Sequence, residues 1–209
     1  MRKLTPILAT ALALSLPAFA NANGFDSNLA STITGPIKVE VVVSEDLAHR
    51  AENLPKKLSD RGSGRLNGSF SNNGHYGQKD IDRLVEEMNA ELADDFEKYG
   101  IASSESAPTL LRVTLEMAKP NRPTFNQLSE DVSLSFQSFG IGGAEITAEV
   151  IGAGGESLGT MEYDYYSSLA NRPIAPNAVG TWTDADRSIS RFSKKASKKL
   201  AALGAAGNS

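Results

Sequence analysis

Residues 80–100 read DIDRLVEEMNAELADDFEKYG, and within them Ile81, Leu84, Val85, Met88, Leu92, Phe96 and Tyr99 recur every three or four positions until Gly100 interrupts the pattern. That period predicts an amphipathic helix about 30 Å long. Asp80 and Asp82 fall in its first turn, where the helix dipole favours negative charge. Alternating strands flank this helix on both sides. In residues 37–44, Ile37, Val39, Val41 and Val43 alternate with Lys38, Glu40, Val42 and Ser44, and in residues 109–118, Leu111, Val113, Leu115 and Met117 alternate with Arg112, Thr114 and Glu116. Period two reads as a strand with one buried face. A strand, a helix and a second strand in this order can close as a right-handed crossover between parallel strands.

Beyond the crossover, Pro120-Asn121-Arg122-Pro123 forces a break. Val132, Leu134 and Phe136 alternate and suggest a short extended piece ahead of the Gly140–Gly143 cluster. Residues 144–151 and 158–166 alternate on either side of Gly152-Ala153-Gly154-Gly155, which reads as a hairpin. Thr181-Trp182-Thr183-Asp184 resembles a capped helix start. A closing helix over 183–203 should turn Ala185, Ile189, Phe192, Ala196, Leu200 and Leu203 inward. The predicted fold is a two-layer α/β (α+β) sandwich: a mixed sheet of four or five strands with both amphipathic helices on one face. Residues 80–98 carry eight acids against two bases, and residues 183–203 two acids against six bases, so neighbouring helices would be complementary in charge.

Length and composition set the class. The chain has 209 residues, 40% hydrophobic and 22% charged, which suits one globular domain, expected over 36–204. Its net charge of -4 disfavours nucleic acid as a partner, and the absence of cysteine excludes disulfides, thiol catalysis and a lipid-bearing cysteine. Met1, Arg2 and Lys3 precede a charge-free apolar stretch that ends in Ala18-Phe19-Ala20, the pattern of an export signal over residues 1–20. The expected location is the periplasm, with secretion as the alternative. Residues 21–35 show no sustained period and read as a flexible lead-in.

Residues 45–78 read as a long exposed loop, rich in Gly, Ser and Asn over 59–77. Residues 50–79 contain six basic residues against Glu52 and Asp60. Lys56, Lys57, Arg61 and Arg65 are therefore the candidate binding residues for an anionic envelope component, with Arg61 and Arg65 offering planar forks for phosphate or carboxylate. An ordinary solvated loop explains the same charges.

Catalytic equipment is sparse. His49 and His75 are the two histidines, and neither belongs to a nucleophile motif, so His75 reads as an exposed loop residue. Glu130-Asp131 is the one acidic pair in a loop near glycines, and it carries the alternative of a periplasmic hydrolase acting on an envelope glycan. No cofactor motif or metal-ligand spacing is present, and Gly140-Ile141-Gly142-Gly143 leads into a strand rather than the helix a phosphate loop needs. The preferred function is a non-enzymatic periplasmic binding or envelope-assembly accessory.

TLLRVTLEMAKPNRPTFNQL (109–128), SFGIGGAEI (138–146) and TWTDADRSISRFSKKASKKL (181–200) together resemble a functionally uncharacterised family of bacterial envelope proteins, many of them predicted outer-membrane lipoproteins. The resemblance implies a mixed α/β domain associated with the envelope. It supplies no catalytic residues, and this chain lacks the cysteine of the lipoprotein members.

Overall fold

The computed structural model describes residues 24–56, 65–66, 69–70, 74–166 and 179–206. Its centre is β5 (Thr109–Lys119), which buries Leu111, Val113 and Leu115 on one side. β2 (Ile37–Val43) runs parallel to it, from Ile37 opposite Thr109 to Val43 opposite Leu115. On its other flank β6 (Gly143–Ile151) pairs antiparallel and returns through a glycine turn as β7 (Ser157–Tyr166). In that turn Gly155 takes φ 84°, a left-handed conformation that glycine adopts without strain. The mixed sheet has five strands, in the order β1 (Gly24–Ser27), β7, β6, β5, β2, at the upper end of the range read from periodicity.

The outermost strand corrects the reading of residues 21–35. β1 (Gly24–Ser27) pairs antiparallel with β7, and Leu29 and Ile33 just after it are buried in the core. A strand of four residues with one large apolar side chain has too little pattern to be seen, and its pairing is decided by β7, far along the chain. A second correction lies within β5. The register slips between Leu115 and Met117, so Ala118 turns inward where alternation had placed Met117. One extra residue in a ladder reverses the faces beyond it.

Two long helices cover one face, as expected: α2 (Gln78–Tyr99) and α4 (Thr183–Leu200), the latter running into one wider turn, Ala201–Ala205. α2 buries Ile81, Leu84, Met88, Leu92 and Phe96 and stops at Gly100, φ 68°. α4 buries Ala185, Ile189, Phe192, Ala196 and Leu200. Ser193 also faces α2, with its Oγ 2.8 Å from both Glu91 O and Asp95 Oδ2. The ion pair joining the helices runs against the expected charge pattern, since Arg83 of the acidic helix meets Asp186 of the basic one at 2.7 Å.

The segment expected as an exposed loop is anchored at both ends. Ser44 caps α1 (Glu45–His49) by accepting from Leu47 N, and Leu47, Arg50 and Ala51 are buried. Tyr76 N and Gly77 N donate to Arg50 O and Ala51 O at 2.7 and 3.0 Å, bringing the two ends together. Between them, β3 (Arg65–Leu66) and β4 (Ser69–Phe70) form a small antiparallel ladder. Residues 132–136 are not extended. α3 (Phe125–Glu130), held by a Thr124–Gln127 capping box, is followed by two turns in which Asp131 Oδ1 accepts from Ser133 N and Ser138 Oγ from Ser135 N. These local side-chain bonds outcompete a ladder, and Val132 is left fully exposed.

A candidate ligand cleft at the helix starts

Where β5 ends, Asn121 turns back across the start of α4. Its Oδ1 accepts from Asp184 N at 2.8 Å, and its Nδ2 donates to Asp184 Oδ2 at 2.5 Å. Asn121 N donates to Thr181 O, and Asn121 O accepts from Gly140 N. Asn121 is fully buried and Asp184 nearly so. The start of α4 is therefore capped from a distant loop rather than by the local Thr181–Asp184 box that the sequence suggests. Thr183 Oγ1 accepts instead from Gly180 N.

This junction forms one wall of an open cleft of about 480 Å³. α2 contributes Asp80 and Arg83, α4 and its N-cap residue contribute Asp186 and Trp182, and the chain after β5 contributes Arg122, Phe125 and Phe136. Asp80 accepts from Trp182 Nε1 at 2.5 Å. Burial holds the Asp80 carboxyl above its ordinary value, opposed by the Trp182 hydrogen bond and the charge of Arg83. Arg122 secures the rim by donating from Nε to Val179 O and from Nη1 to Phe136 O. Behind Trp182, Tyr76 meets it edge-on at 5.4 Å, and the Arg50 guanidinium lies 4.1 Å from the centre of the Tyr76 ring.

Two aromatic rings stand out at the mouth. Phe125 is 76% and Phe136 66% exposed, and their rings contact each other at 5.9 Å with an interplanar angle of 73°. The cleft thus offers flat apolar surface beside two carboxylates, Asp80 and Asp186, and two guanidinium groups, Arg83 and Arg122. A ring with an apolar face and polar edges fits that chemistry.

The residues singled out from the sequence lie elsewhere. Lys56 pairs with Asp46 at 3.2 Å; Lys57 and Arg61 fall outside the described residues, and Arg65 takes its place in β3 opposite Phe70. Glu130 is engaged by His75 Nδ1 at 2.7 Å, so His75 is a half-buried partner rather than a solvated loop residue. Asp131 is half-buried, and hydrogen bonds from Ser133 hold its carboxyl below the usual range, the wrong direction for a proton donor. Neither acid lines the cleft. Phe125, Phe136 and Trp182 were not among the expected site residues, although Phe125, in a polar stretch after Pro123 with no burying period, was a usable signal. Among the described residues no cluster of three or more potential ligands could hold a metal ion, and no helix is long and apolar enough to cross a membrane.

No protein-family model matches the chain, and no curated protein matches it. Among solved structures it is similar to the PelC dodecamer from Paraburkholderia phytofirmans, at 12% identity over 82% of this chain and 96% of that chain, with a TM-score of 0.39. A likeness that loose carries neither activity nor assembly across to this chain.

Proposed function

We propose that this chain is a non-enzymatic binding or assembly accessory of the bacterial envelope, working in the periplasm, and that the cleft receives a sugar ring of an envelope glycan. The exposed Phe125–Phe136 pair beside Asp80, Arg83 and Asp186 is the observation that carries this reading. Aromatic carbon stacks on the apolar face of a pyranose, while carboxylates and guanidinium groups bond its hydroxyls. The leader-like residues 1–20 and the resemblance over 109–203 support the location.

Calorimetric titration of the purified protein with soluble peptidoglycan fragments and other envelope oligosaccharides tests the reading. Saturable binding should disappear in Phe125→Ala/Phe136→Ala while the circular dichroism spectrum stays unchanged. Equal binding by the variant would remove the cleft from the account. The hydrolase alternative draws support from one observation, the pKa of Asp80, raised by burial, in a cleft that also holds Asp186. Glycan cleavage abolished by Asp80→Asn would establish that reading in place of simple binding.

A further inference from the structure

Outside the cleft, α4 presents a second surface with a different chemistry. Arg187, Arg191, Lys194, Lys195 and Lys198 are all exposed and spaced by three and four residues, with Lys199 half-buried at their margin. They form one stripe about 18 Å long. Arg191 lies over the Tyr165 ring at 4.8 Å, and Lys195 is 5.6 and 5.5 Å from the rings of Phe25 and Tyr163. These contacts hold Arg191 and Lys195 toward the β1–β7 edge of the sheet. Arg187 is tied to Asp184 at 3.3 Å, whereas no described carboxylate forms an ion pair with Lys194, Lys195, Lys198 or Lys199. Six cations on one rigid face are unusual in a chain whose net charge is -4.

We infer that this stripe is a docking track for a linear acidic polysaccharide. The cations follow one another along the axis at intervals of no more than about 6 Å, which suits a polymer carrying one carboxylate on each sugar. The helix fixes the spacing of their backbone positions, so the match depends on regular spacing in the partner. Membrane attachment fits less well. The exposed large apolar side chains among the described residues are Leu54, Phe125, Val132, Phe136 and Ile141, and none lies on α4 to insert among lipid chains. The track also operates independently of the cleft, so either can fail alone.

The test is titration of the purified protein with sodium alginate, a linear polyuronate, at several salt concentrations, beside neutral dextran and vesicles of phosphatidylglycerol and phosphatidylcholine. Alginate should bind and dextran should not, with affinity falling steeply as salt rises. Lys194→Glu/Lys198→Glu should weaken alginate binding by about tenfold or more and lower the slope of log K against log salt by about two. Lys194→Gln/Lys198→Gln, which removes charge without reversing it, should give a smaller loss of the same sign, and both variants should retain the wild-type circular dichroism. Unchanged alginate binding in the variants overturns the proposal. So does stronger binding to the anionic vesicles than to alginate, or salt-sensitive self-association lost in the same variants, which would make the stripe an interface between copies.

Discussion

Removing the Asn121 side chain tests whether the loop after β5 organises the start of α4. Asn121→Ala deletes the acceptor for Asp184 N and the amide donor to Asp184 Oδ2, while the backbone bonds of residue 121 to Thr181 and Gly140 can persist. Loss of a helix cap costs about 0.5–2 kcal/mol. Loss of a hydrogen bond to a charged group costs about 1.5–3 kcal/mol. Arg187 remains within 3.3 Å of Asp184 Oδ1, so the carboxylate keeps one partner and the sum should fall near 3 kcal/mol. That is a large share of the roughly 5–15 kcal/mol that stabilises a domain. Trp182, the sole tryptophan, sits at the affected helix start and reports urea unfolding by its fluorescence, with circular dichroism as the second probe. In a double-mutant cycle with Asp184→Ala, the coupling should be about 1–2 kcal/mol. Asn121→Asp should be worse at neutral pH and recover on acidification, as two facing carboxyls come to share a proton. A loss below about 0.5 kcal/mol for Asn121→Ala, within the range of ordinary surface changes, or no coupling to Asp184, would refute the reasoning.

Gly142→Ala should destabilise by about 1–3 kcal/mol, because its new methyl would fall on the Asn121 amide, and urea titration should show most of that loss absent in an Asn121→Ala background. Leu92→Ala and Phe192→Ala should each cost about 2–5 kcal/mol by opening a cavity in the layer between helices and sheet, read from denaturation midpoints. The folded state holds a proton on Asp80 at pH values where the unfolded chain has released it, so this stabilisation is complete below the ordinary carboxylate range and is lost as pH rises through the raised value. Asp80→Asn keeps an oxygen for Trp182 Nε1, and its midpoint relative to wild type should climb from acid to neutral pH. Protein recovered from a periplasmic fraction should have the mass of a chain starting at Asn21; the full-length mass would contradict the leader.

The long elements were legible because each carries its own period. α2, α4, β2 and the β6–β7 hairpin are read from side chains a few residues apart, and the parallel crossover follows from their order. What stayed hidden depends on partners distant in sequence. β1 exists because β7 offers an edge, and the Met117-to-Ala118 change of face comes from one extra residue in a ladder. α3 has six residues, too few for a period, though Thr124-x-x-Gln127 after Pro123 is a capping signature in plain view. The alternation at 132–136 misleads because Asp131 and Ser138 turn the backbone with their own side chains. The cleft gathers residues from three separated stretches, and local spacing cannot reveal it. Asn121 is the clearest case: one amide between two prolines, whose role appears only when Asp184 is brought beside it.

The central claim is that Phe125, Phe136 and the Asp80–Trp182 pair form a glycan site. Its most direct test is nuclear magnetic resonance of the labelled protein titrated with soluble peptidoglycan fragments and other envelope oligosaccharides, following the Trp182 indole N–H and the rings of Phe125 and Phe136. The account predicts saturable shifts at all three, absent for the indole in the Phe125→Ala/Phe136→Ala variant. No shift at these groups with any of the glycans, or shifts confined to surfaces away from the cleft, would contradict it.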